Sequence, residues 1–292
     1  MESQNPFFSI IIPIYNSSHT LKRVFLSIQN QSFKNWELIF VNDGSTDDSE
    51  KIVYSFIEDK RVSYIFQENS GVSTARNRGV LAAKSNWLIF LDSDDELSKT
   101  ALRNFFESLK VFPNELVLLA GFKRIREGYV EDLVFIPSKE KKIKFLSGAF
   151  IISRCLFNKL KGYDSRFTFG ENSELFRRIN YENIIPKQLS FVSLLYHDKP
   201  VGGSKNMKNM EYSTRLLLEK HADYFDKNLK EKRVYLQIIG VCNLRLGNYS
   251  KAKEFLYKAY KIDCLRLDTL VRLIISQIPF LSRKVYPLSE YR

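Results

Sequence analysis

Three acidic side chains follow directly on an apolar segment near the end of the first third of the chain. The segment is Trp87–Leu91, and the acids are Asp92, Asp94 and Asp95, with Ser93 between the first two. Three carboxylates within four residues repel one another, and a divalent cation with oxygen ligands would neutralise them. The alternative is an ordinary solvated turn, because Asp and Ser are also common turn residues.

Other polar residues follow other predicted strands in the same way. Buried strands are predicted where short apolar runs end in polar turns, at Phe8–Ile14, Glu37–Val41 and Trp87–Leu91, and a further strand is predicted at Val62–Phe66. Helical patterns lie between them, and this alternation predicts an α/β sheet with right-handed crossovers. Ligands bind at the carboxyl ends of the strands in such sheets. The residues that this rule places along one edge are Asn16, Asp43, Asn69 and Asp92–Asp95.

Two charged residues near this edge have types that suit a nucleotide. Asp43 precedes Gly44, so its carboxylate can accept from a base N–H while the glycine permits close approach of the backbone; an Asp-Gly turn that caps the next helix is the alternative. Arg76, with Arg78, lies in the first turns of a predicted helix, where it can face a phosphate or base. A solvated basic face is the alternative. The Walker and Gly-x-Gly-x-x-Gly phosphate loops are absent, which argues against ATPase and dinucleotide chemistry.

Four ordered motifs resemble the family 2 glycosyltransferases. They are Ser9-Ile-Ile-Ile-Pro-Ile-Tyr-Asn16, Val41-Asn-Asp-Gly-Ser-Thr-Asp-Asp-Ser49, Glu68-Asn-Ser-Gly-Val-Ser-Thr-Ala-Arg-Asn-Arg-Gly79 and Leu91-Asp-Ser-Asp-Asp95. The resemblance implies a GT-A fold, which is a Rossmann-like, nucleotide-sugar-binding α/β fold with a mixed sheet flanked by helices. It also implies a nucleotide-diphosphate sugar donor, usually UDP-linked, a divalent Mn or Mg ion, and transfer with inversion at the anomeric carbon.

The same resemblance implies roles for individual residues. Asp43 would pair with the uracil ring, Asp92 would lie near the ribose, and Asp94 would coordinate the metal that bridges the diphosphate. The remaining candidates for nucleotide binding are Pro13, Tyr15, Asn16, Asn69, Arg76 and Ser93. A hard, oxygen-preferring ion would act as a Lewis acid on the departing diphosphate.

The chain departs from the family pattern at the expected catalytic base. In the segment Phe169–Leu175 the family usually shows a Glu-Asp pair whose aspartate is the base, but Asn172 stands at that position here. An amide cannot take a proton from an acceptor hydroxyl. Glu171 is one residue away and can do so, and we predict it to be the base. Glu174 is the second candidate, expected to be a surface or ion-pairing acid.

A late histidine and a glycine-containing loop complete the predicted site. His197 follows a predicted strand, Ser190–Tyr196, and resembles the histidine that completes the metal site in many family members. A purely structural histidine is the alternative. Gly202 and Gly203 would let the next loop fold over the diphosphate and exclude water. Lys205 would then meet a phosphate, unless it is only a solvated charge.

The last third of the chain is helical in pattern and strongly basic. We predict a glycosyltransferase domain over residues 1–204 and a basic helical extension over 205–292. From Lys199 to the end, the chain carries 19 Lys and Arg against 9 Asp and Glu. Residues 233–264 resemble one tetratricopeptide-like hairpin, for which an ordinary helix pair is the preferred interpretation. Residues 266–281 form an amphipathic helical pattern with flanking arginines, which suits either an anionic bilayer or burial against the catalytic domain.

These patterns predict a metal-dependent, inverting glycosyltransferase in cell-surface polysaccharide or glycan biosynthesis, with a glycan or lipid-linked acceptor. The alternative is a non-catalytic nucleotide-sugar-binding or scaffold protein that lost its base at Asn172. The start of the chain lacks a signal segment and no apolar run reaches the length of a membrane span, so we expect a cytoplasmic protein. Peripheral contact with the cytoplasmic, inner leaflet of the membrane is the open alternative to a free cytoplasmic protein. Nucleic-acid motifs are absent, and we expect no nucleic-acid partner.

Overall fold

The computed structural model describes residues 5–126, 133–138, 145–198 and 206–289. The chain divides into two compact units, one formed by Met1–Ser165 with Glu171–Lys199 and the other by Arg166–Gly170 with Pro200–Arg292. The predicted boundary between residues 204 and 205 lies outside the described residues.

The first unit contains a nine-stranded mixed sheet in the part of the chain that the structure describes. The strands are β1 Phe8–Ile14, β2 Trp36–Asp43, β3 Val62–Gln67, β4 Trp87–Phe90, β5 Glu96–Leu97, β6 Val117–Ile125, β7 Leu133–Phe135, β8 Phe150–Ser153 and β9 Lys187–His197. Their order is β3-β2-β1-β4-β8-β6-β9-β5, with β7 paired to β6. The strands β3, β2, β1 and β4 are parallel, whereas β8 is antiparallel to β4.

Helices and aromatic side chains cover both faces of this sheet. The helices are α1 Ser18–Gln29, α2 Ser49–Tyr54, α3 Val72–Ala82, α4 Ala101–Val111, α5 Arg154–Lys159 and α6 Glu171–Tyr181. Successive side chains of a strand point to opposite faces, so Ile10 and Ile12 of β1 enter one core cluster and Ile11 enters the other. Every residue of β1 is buried, as expected for a central parallel strand. The mixed sheet flanked by helices confirms the predicted fold class.

The second unit is helical over its described residues. It contains α7 Met207–Lys220, α8 Ala222–Lys227, α9 Leu229–Arg245, α10 Tyr249–Ile262, α11 Leu267–Gln277 and α12 Pro279–Val285. No helix in the described ranges is both long and apolar enough to cross a membrane.

The segment predicted as one amphipathic helix over residues 266–281 is divided in the structure. The division lies at Ile278, which has extended backbone angles of φ −115° and ψ 96°. Pro279 begins the next helix. Proline disfavours the helical conformation of the residue before it, which explains why α11 ends at Gln277.

Candidate nucleotide and transfer site

The loops that follow β1, β2 and β4 contact one another at one edge of the sheet. These strands are parallel neighbours, so their carboxyl ends meet there. The backbone N–H of Asn16 donates to Ser45 Oγ at 3.0 Å, and Asn16 Oδ1 accepts from the N–H of Thr46 at 2.8 Å. The hydroxyls of Ser17 and Ser93 lie 2.7 Å apart. The sequence motifs that are scattered along the chain are therefore brought together at this edge.

Asp43 is buried at the end of β2, and its carboxylate organises the loop before α3. Oδ1 accepts from Gln67 Nε2 at 2.7 Å and from the N–H of Ser70 at 2.8 Å, and Oδ2 accepts from the N–H of Gly71 at 2.9 Å. A carboxylate has about four acceptor positions, so Oδ2 retains one for an incoming N–H donor. The suggested capping of the next helix, α2, is wrong for Asp43, because its amide partners lie at the start of α3.

Gly44 allows the loop after β2 to approach the loop that carries Asn69. Its φ is +74°, and a Cβ at this position would lie 2.8 Å from the backbone nitrogen of Asn69. Any larger residue would separate the two loops. Asn69 itself is exposed at this edge, as are Tyr15 and Asn16, whereas Pro13 is buried within β1.

Arg76 connects the acid after β4 with the acid at the start of α6. Its side chain is 2% exposed; Nη2 lies 2.6 Å from Asp92 Oδ1, and Nη1 lies 2.7 Å from Glu171 Oε1. Burial alone would lower the pKa of Arg76, but the charges of Asp92 and Glu171 outweigh it and raise that pKa. The interpretation of Arg76 as part of a solvated basic face is therefore wrong, although Arg78 is exposed.

Asn172 lies in a buried hydrogen-bond network beside this ion-pair triad. Its Oδ1 accepts from the hydroxyl of Tyr163 at 2.7 Å, and its Nδ2 donates to Ser147 Oγ at 3.3 Å. Ser147 Oγ also accepts from Arg76 Nη2 at 3.0 Å. Burial is the main cause that raises the pKa of Tyr163, so the phenol stays a donor. Sequence reasoning missed the parts that Ser147 and Tyr163 play, and no local motif would have indicated them.

The sequence predicts that Glu174 is a surface or ion-pairing acid. It is buried and not on the surface, and it forms an ion pair. Its carboxylate accepts from Arg178 Nε at 2.9 Å and from Arg178 Nη2 at 2.7 Å. Arg178 Nη2 also donates to the carbonyl of Gly162 at 2.7 Å. This pair fastens α6 to the turn after α5, which is a structural role.

The acids after β4 occupy different environments. Asp92 pairs with Arg76, and the carbonyl of Asp94 accepts from Arg23 Nη2 at 2.6 Å. Asp95 is buried, and its Oδ1 accepts from the backbone N–H of His197 at 2.8 Å. Burial, followed by the charges of Asp92 and Asp94, raises the pKa of Asp95 well above its ordinary value. Asp94 keeps a partly exposed side chain.

The chemistry of these donors fits a hard cation that also binds a substrate diphosphate. No three His, Cys, Asp or Glu side chains of the described ranges form a cluster that would hold a metal by themselves. Ions such as Mg²⁺ are commonly bound by one or two protein carboxylates together with the phosphates of the substrate. Asp94 and its neighbour Asp92 can supply the carboxylates. His197 Nε2 lies 2.7 Å from Glu96 Oε1, so a metal would be ligated by its other ring nitrogen, Nδ1, while this contact persists. Gly202, Gly203 and Lys205 lie outside the described residues.

Comparison with known proteins identifies relatives over different lengths. Residues 9–167 match the model of Glycosyl transferase family 2. A GalNAc(5)-diNAcBac-PP-undecaprenol beta-1,3-glucosyltransferase of Campylobacter jejuni is 27% identical, over 98% of each chain. The glycosyltransferase GlyA of Streptococcus pneumoniae is 37% identical over 38% of this chain and 16% of its own. The minor teichoic acid biosynthesis protein GgaA of Bacillus subtilis is 43% identical over 34% of this chain and 24% of its own. Apart from the Campylobacter protein, the chain thus spans less than half of these relatives.

Solved structures share the fold at low sequence identity. Staphylococcus aureus TarS 1-349, in complex with UDP-GlcNAc, has a TM-score of 0.65 and 17% identity, covering 94% of this chain and 88% of that one. The mannosyltransferase PcManGT of Pyrobaculum calidifontis, in complex with GDP-Man and Mn²⁺, has a TM-score of 0.59 and 13% identity, covering 97% and 88%. Because the family model covers more than half of the sequence and the fold agrees with GT-A structures, the chain belongs to glycosyl transferase family 2.

Proposed function

We propose that this protein transfers a sugar from a UDP-linked donor to an acceptor hydroxyl, with inversion at the anomeric carbon. The observation that carries the proposal is the buried contact of Arg76 with both Asp92 and Glu171. Asp92 belongs to the fourth nucleotide motif, Leu91–Asp95, and Glu171 is the candidate base. Arg76 therefore holds the two halves of a transfer site at a fixed separation.

The edge formed by β1, β2 and β4 would bind the nucleotide. Asp43 Oδ2 would accept the N–H of the uracil ring at its remaining acceptor position. Tyr15, Asn16 and Asn69 are exposed beside it and would contact the base and ribose, above the buried ring of Pro13. Ser93 would lie near the diphosphate, where its hydroxyl already meets that of Ser17.

A divalent Mn or Mg ion would be held by Asp94, with His197 as a second ligand through the ring nitrogen that does not contact Glu96. Such an ion would supply positive charge to the leaving diphosphate. The TarS complex contains UDP-GlcNAc, which supports a nucleotide-sugar donor. The PcManGT complex contains GDP-Man and Mn²⁺, which supports a divalent ion.

Glu171 would accept the proton of the acceptor hydroxyl. Arg76 Nη1 contacts its Oε1, and among the described residues no hydrogen bond reaches its Oε2. One oxygen therefore fixes the carboxylate while the other can receive a proton. The name of the Campylobacter relative, a transferase for an undecaprenol-linked glycan, supports a lipid-linked or glycan acceptor.

The test is release of UDP from a panel of UDP-sugars, with Mn²⁺ and acceptor glycans, by the native chain and by Glu171→Gln. We expect the variant to lose turnover by about 100-fold or more, since a general base commonly contributes that much. Affinity for UDP should stay within about twofold, because Gln keeps an oxygen for Arg76. Glu182→Gln is the matched control, since Glu182 lies just beyond the same helix and pairs with Lys159 on the surface. A full rate in Glu171→Gln would place the base elsewhere.

The second candidate function is a non-catalytic nucleotide-sugar-binding or scaffold protein. It is favoured by Asn172, whose amide occupies the position of the expected aspartate and is engaged by Tyr163 and Ser147. Binding of UDP without turnover of any donor would support this function and contradict the enzymatic one. Activity gained only in Asn172→Asp would point the same way.

A further inference from the structure

Helix α11 keeps several apolar side chains exposed, although Leu273 packs against the core cluster of α9 and α10. Leu267, Val271 and Ile274 lie at i, i+4 and i+7 and so share one face of the helix. All three are at least half exposed. Thr269 and Ser276 lie on the opposite face and are fully buried. An amphipathic helix of a globular protein normally buries the apolar face instead.

A polar network explains why the helix keeps this orientation. Arg233 and Gln237 of α9 are buried, and both donate to Thr269 Oγ1, Arg233 at 2.7 Å. Arg272 Nη1 donates to Gln237 Oε1 at 3.2 Å. Turning α11 over would leave these buried groups without partners, which is unfavourable in a low-dielectric interior. The hydrogen bonds therefore fix the apolar side chains on the outside.

Further exposed apolar side chains flank α11 in the sequence at both of its ends. Leu265 precedes the helix and is 87% exposed, and Phe280 follows it and is 81% exposed. The outer surface of α11 is defined here as Leu265, Leu267, Val271, Ile274 and Phe280. Several large exposed apolar residues within one short segment mark a binding surface more often than a single exposed residue does.

The charges around the outer surface of α11 select the partner. Arg266, Arg283 and Lys284 are near these residues in the sequence and are exposed. The two acids of the segment are already paired, Asp263 with Arg266 at 3.3 Å and Asp268 with Arg233 at 3.6 Å, and the segment keeps a positive net charge. A second copy of the same surface would bring these like charges together, which opposes self-association. An anionic phospholipid bilayer instead offers negative headgroups to the basic side chains and hydrocarbon to the apolar ones.

We infer that the outer surface of α11 docks this protein on an anionic lipid bilayer, with the apolar side chains inserted at the headgroup boundary. The inference goes beyond the proposed function and is independent of it, because binding to lipid is measured without donor or acceptor.

The experiment is sedimentation of the full chain with vesicles of phosphatidylcholine alone, or of phosphatidylcholine and phosphatidylglycerol in equal parts. The native chain should bind the anionic vesicles, and less so at high salt. Leu267→Ser/Ile274→Ser/Phe280→Ser should reduce the partition coefficient by about tenfold or more, since each change removes a large apolar group from the inserted surface. The charge variant Arg266→Gln/Lys284→Gln should weaken binding to anionic vesicles only.

The matched control is Leu81→Ser/Ile185→Ser, which removes equally exposed apolar side chains from the first unit. It should bind vesicles as the native chain does. Circular dichroism should show unchanged helix content in each variant, because all the substituted side chains are exposed. Failure of the native chain to bind anionic vesicles, or equal binding by the triple variant, would overturn the inference. So would a concentration-dependent dimer in sedimentation velocity that the triple variant abolishes, since that result makes the surface an interface between copies.

Discussion

At the scale of single residues, Asp43 and Arg76 each join segments that are far apart in the chain. Asp43 holds the amides of Ser70 and Gly71, and Arg76 reaches Glu171 across 95 residues. Both side chains are buried and charged, and each is matched by several partners of suitable chemistry. Such side chains fix the positions of the segments that they join more than they increase the free energy of unfolding, because the cost of desolvating the charges offsets much of their attraction.

Asp47 provides a test of a carboxylate outside the proposed site. Its Oδ1 accepts from the N–H of Ser49 and its Oδ2 from the N–H of Ser18, both at 3.0 Å, at the starts of α2 and α1. Burial alone would raise the pKa of Asp47, but hydrogen bonds from Ser49 and Ser18 lower it to about 2. We expect Asp47→Ala to reduce the free energy of unfolding near neutral pH by about 1 kcal/mol, a typical value for a lost helix cap.

The contribution of Asp47 should depend on pH in a defined direction. Because its pKa is lower in the folded state, the carboxylate stabilises the fold above about pH 4 and loses this effect as the pH falls toward about 2. Denaturant unfolding of the native chain and Asp47→Ala at a series of pH values should therefore converge in acid. Asp48→Ala is the control, since Asp48 is exposed and makes no side-chain capping bond. An equal loss in both variants would contradict the assignment.

The residue types of the site were readable from the sequence, but their partners were not. The strand-end positions of Asp43 and Asp92 followed from apolar runs and parallel topology. The burial of Arg76 between two acids did not, because its helix has little amphipathic pattern and Glu171 lies 95 positions away. The engagement of Asn172 with Tyr163 and Ser147 depends on tertiary packing alone.

At the scale of elements, α3 is held against the sheet by a close approach at Gly79. A Cβ at this position would lie 2.4 Å from Ile11 Cγ2 and 3.2 Å from Val41 Cγ2, both in buried strands. The loop that Asp43 holds leads directly into α3, and α3 carries Arg76. The distance between α3 and the sheet therefore decides where Arg76 lies relative to Asp92.

Gly79→Ala should destabilise the protein although alanine favours helices. The gain in helix propensity is about 1 kcal/mol, whereas overpacking against Ile11 costs about 1–3 kcal/mol. We expect a net loss of up to about 2 kcal/mol in the free energy of unfolding, measured by denaturant titration. Thr74→Ala, in the same helix, is the control and should be neutral or slightly stabilising. A stabilised Gly79→Ala would show that α3 can shift away from β1 without loss.

Elements with a strong periodic pattern were predictable, and short or interrupted ones were not. The strands β1, β2 and β4 are buried apolar runs with polar ends, and α1 has a regular apolar face. The strand β3 lies at the end of the sheet and is only partly buried, with Phe66 exposed. The strand β5 has only two residues, too few for any periodicity. The apolar pattern of the sequence continues past Pro279 and predicts one helix, whereas the proline divides the segment into α11 and α12.

At the scale of the whole molecule, a ligand that binds only the folded state should raise the unfolding temperature. UDP with Mn²⁺ at about 100 times its dissociation constant would contribute about 2.7 kcal/mol, or roughly 5–10 °C for a protein of this size. We expect Asp94→Ala to lose the part of this shift that requires Mn²⁺ and to keep the part due to UDP alone. The measurement is a thermal scan with UDP, Mn²⁺, both, or both with EDTA.

The control for this measurement is Asp223→Ala, which removes an exposed carboxylate of α8. It should respond to UDP and Mn²⁺ as the native chain does. An Mn²⁺-dependent shift of native size in Asp94→Ala would assign the metal to other ligands.

The hydrogen bond from the backbone N–H of His197 to Asp95 can form only late in the synthesis of the chain. The two residues are 102 positions apart. At about 5–20 residues per second, a ribosome takes roughly 5–20 s to progress from one to the other. Throughout that interval the nascent chain already contains the parallel strands β1 to β4, while Asp95 still lacks its backbone donor. The acidic end of β4 is therefore completed only when β9 has left the exit tunnel, so a ribosome stalled before residue 197 would carry a partly formed sheet with its acid cluster still open.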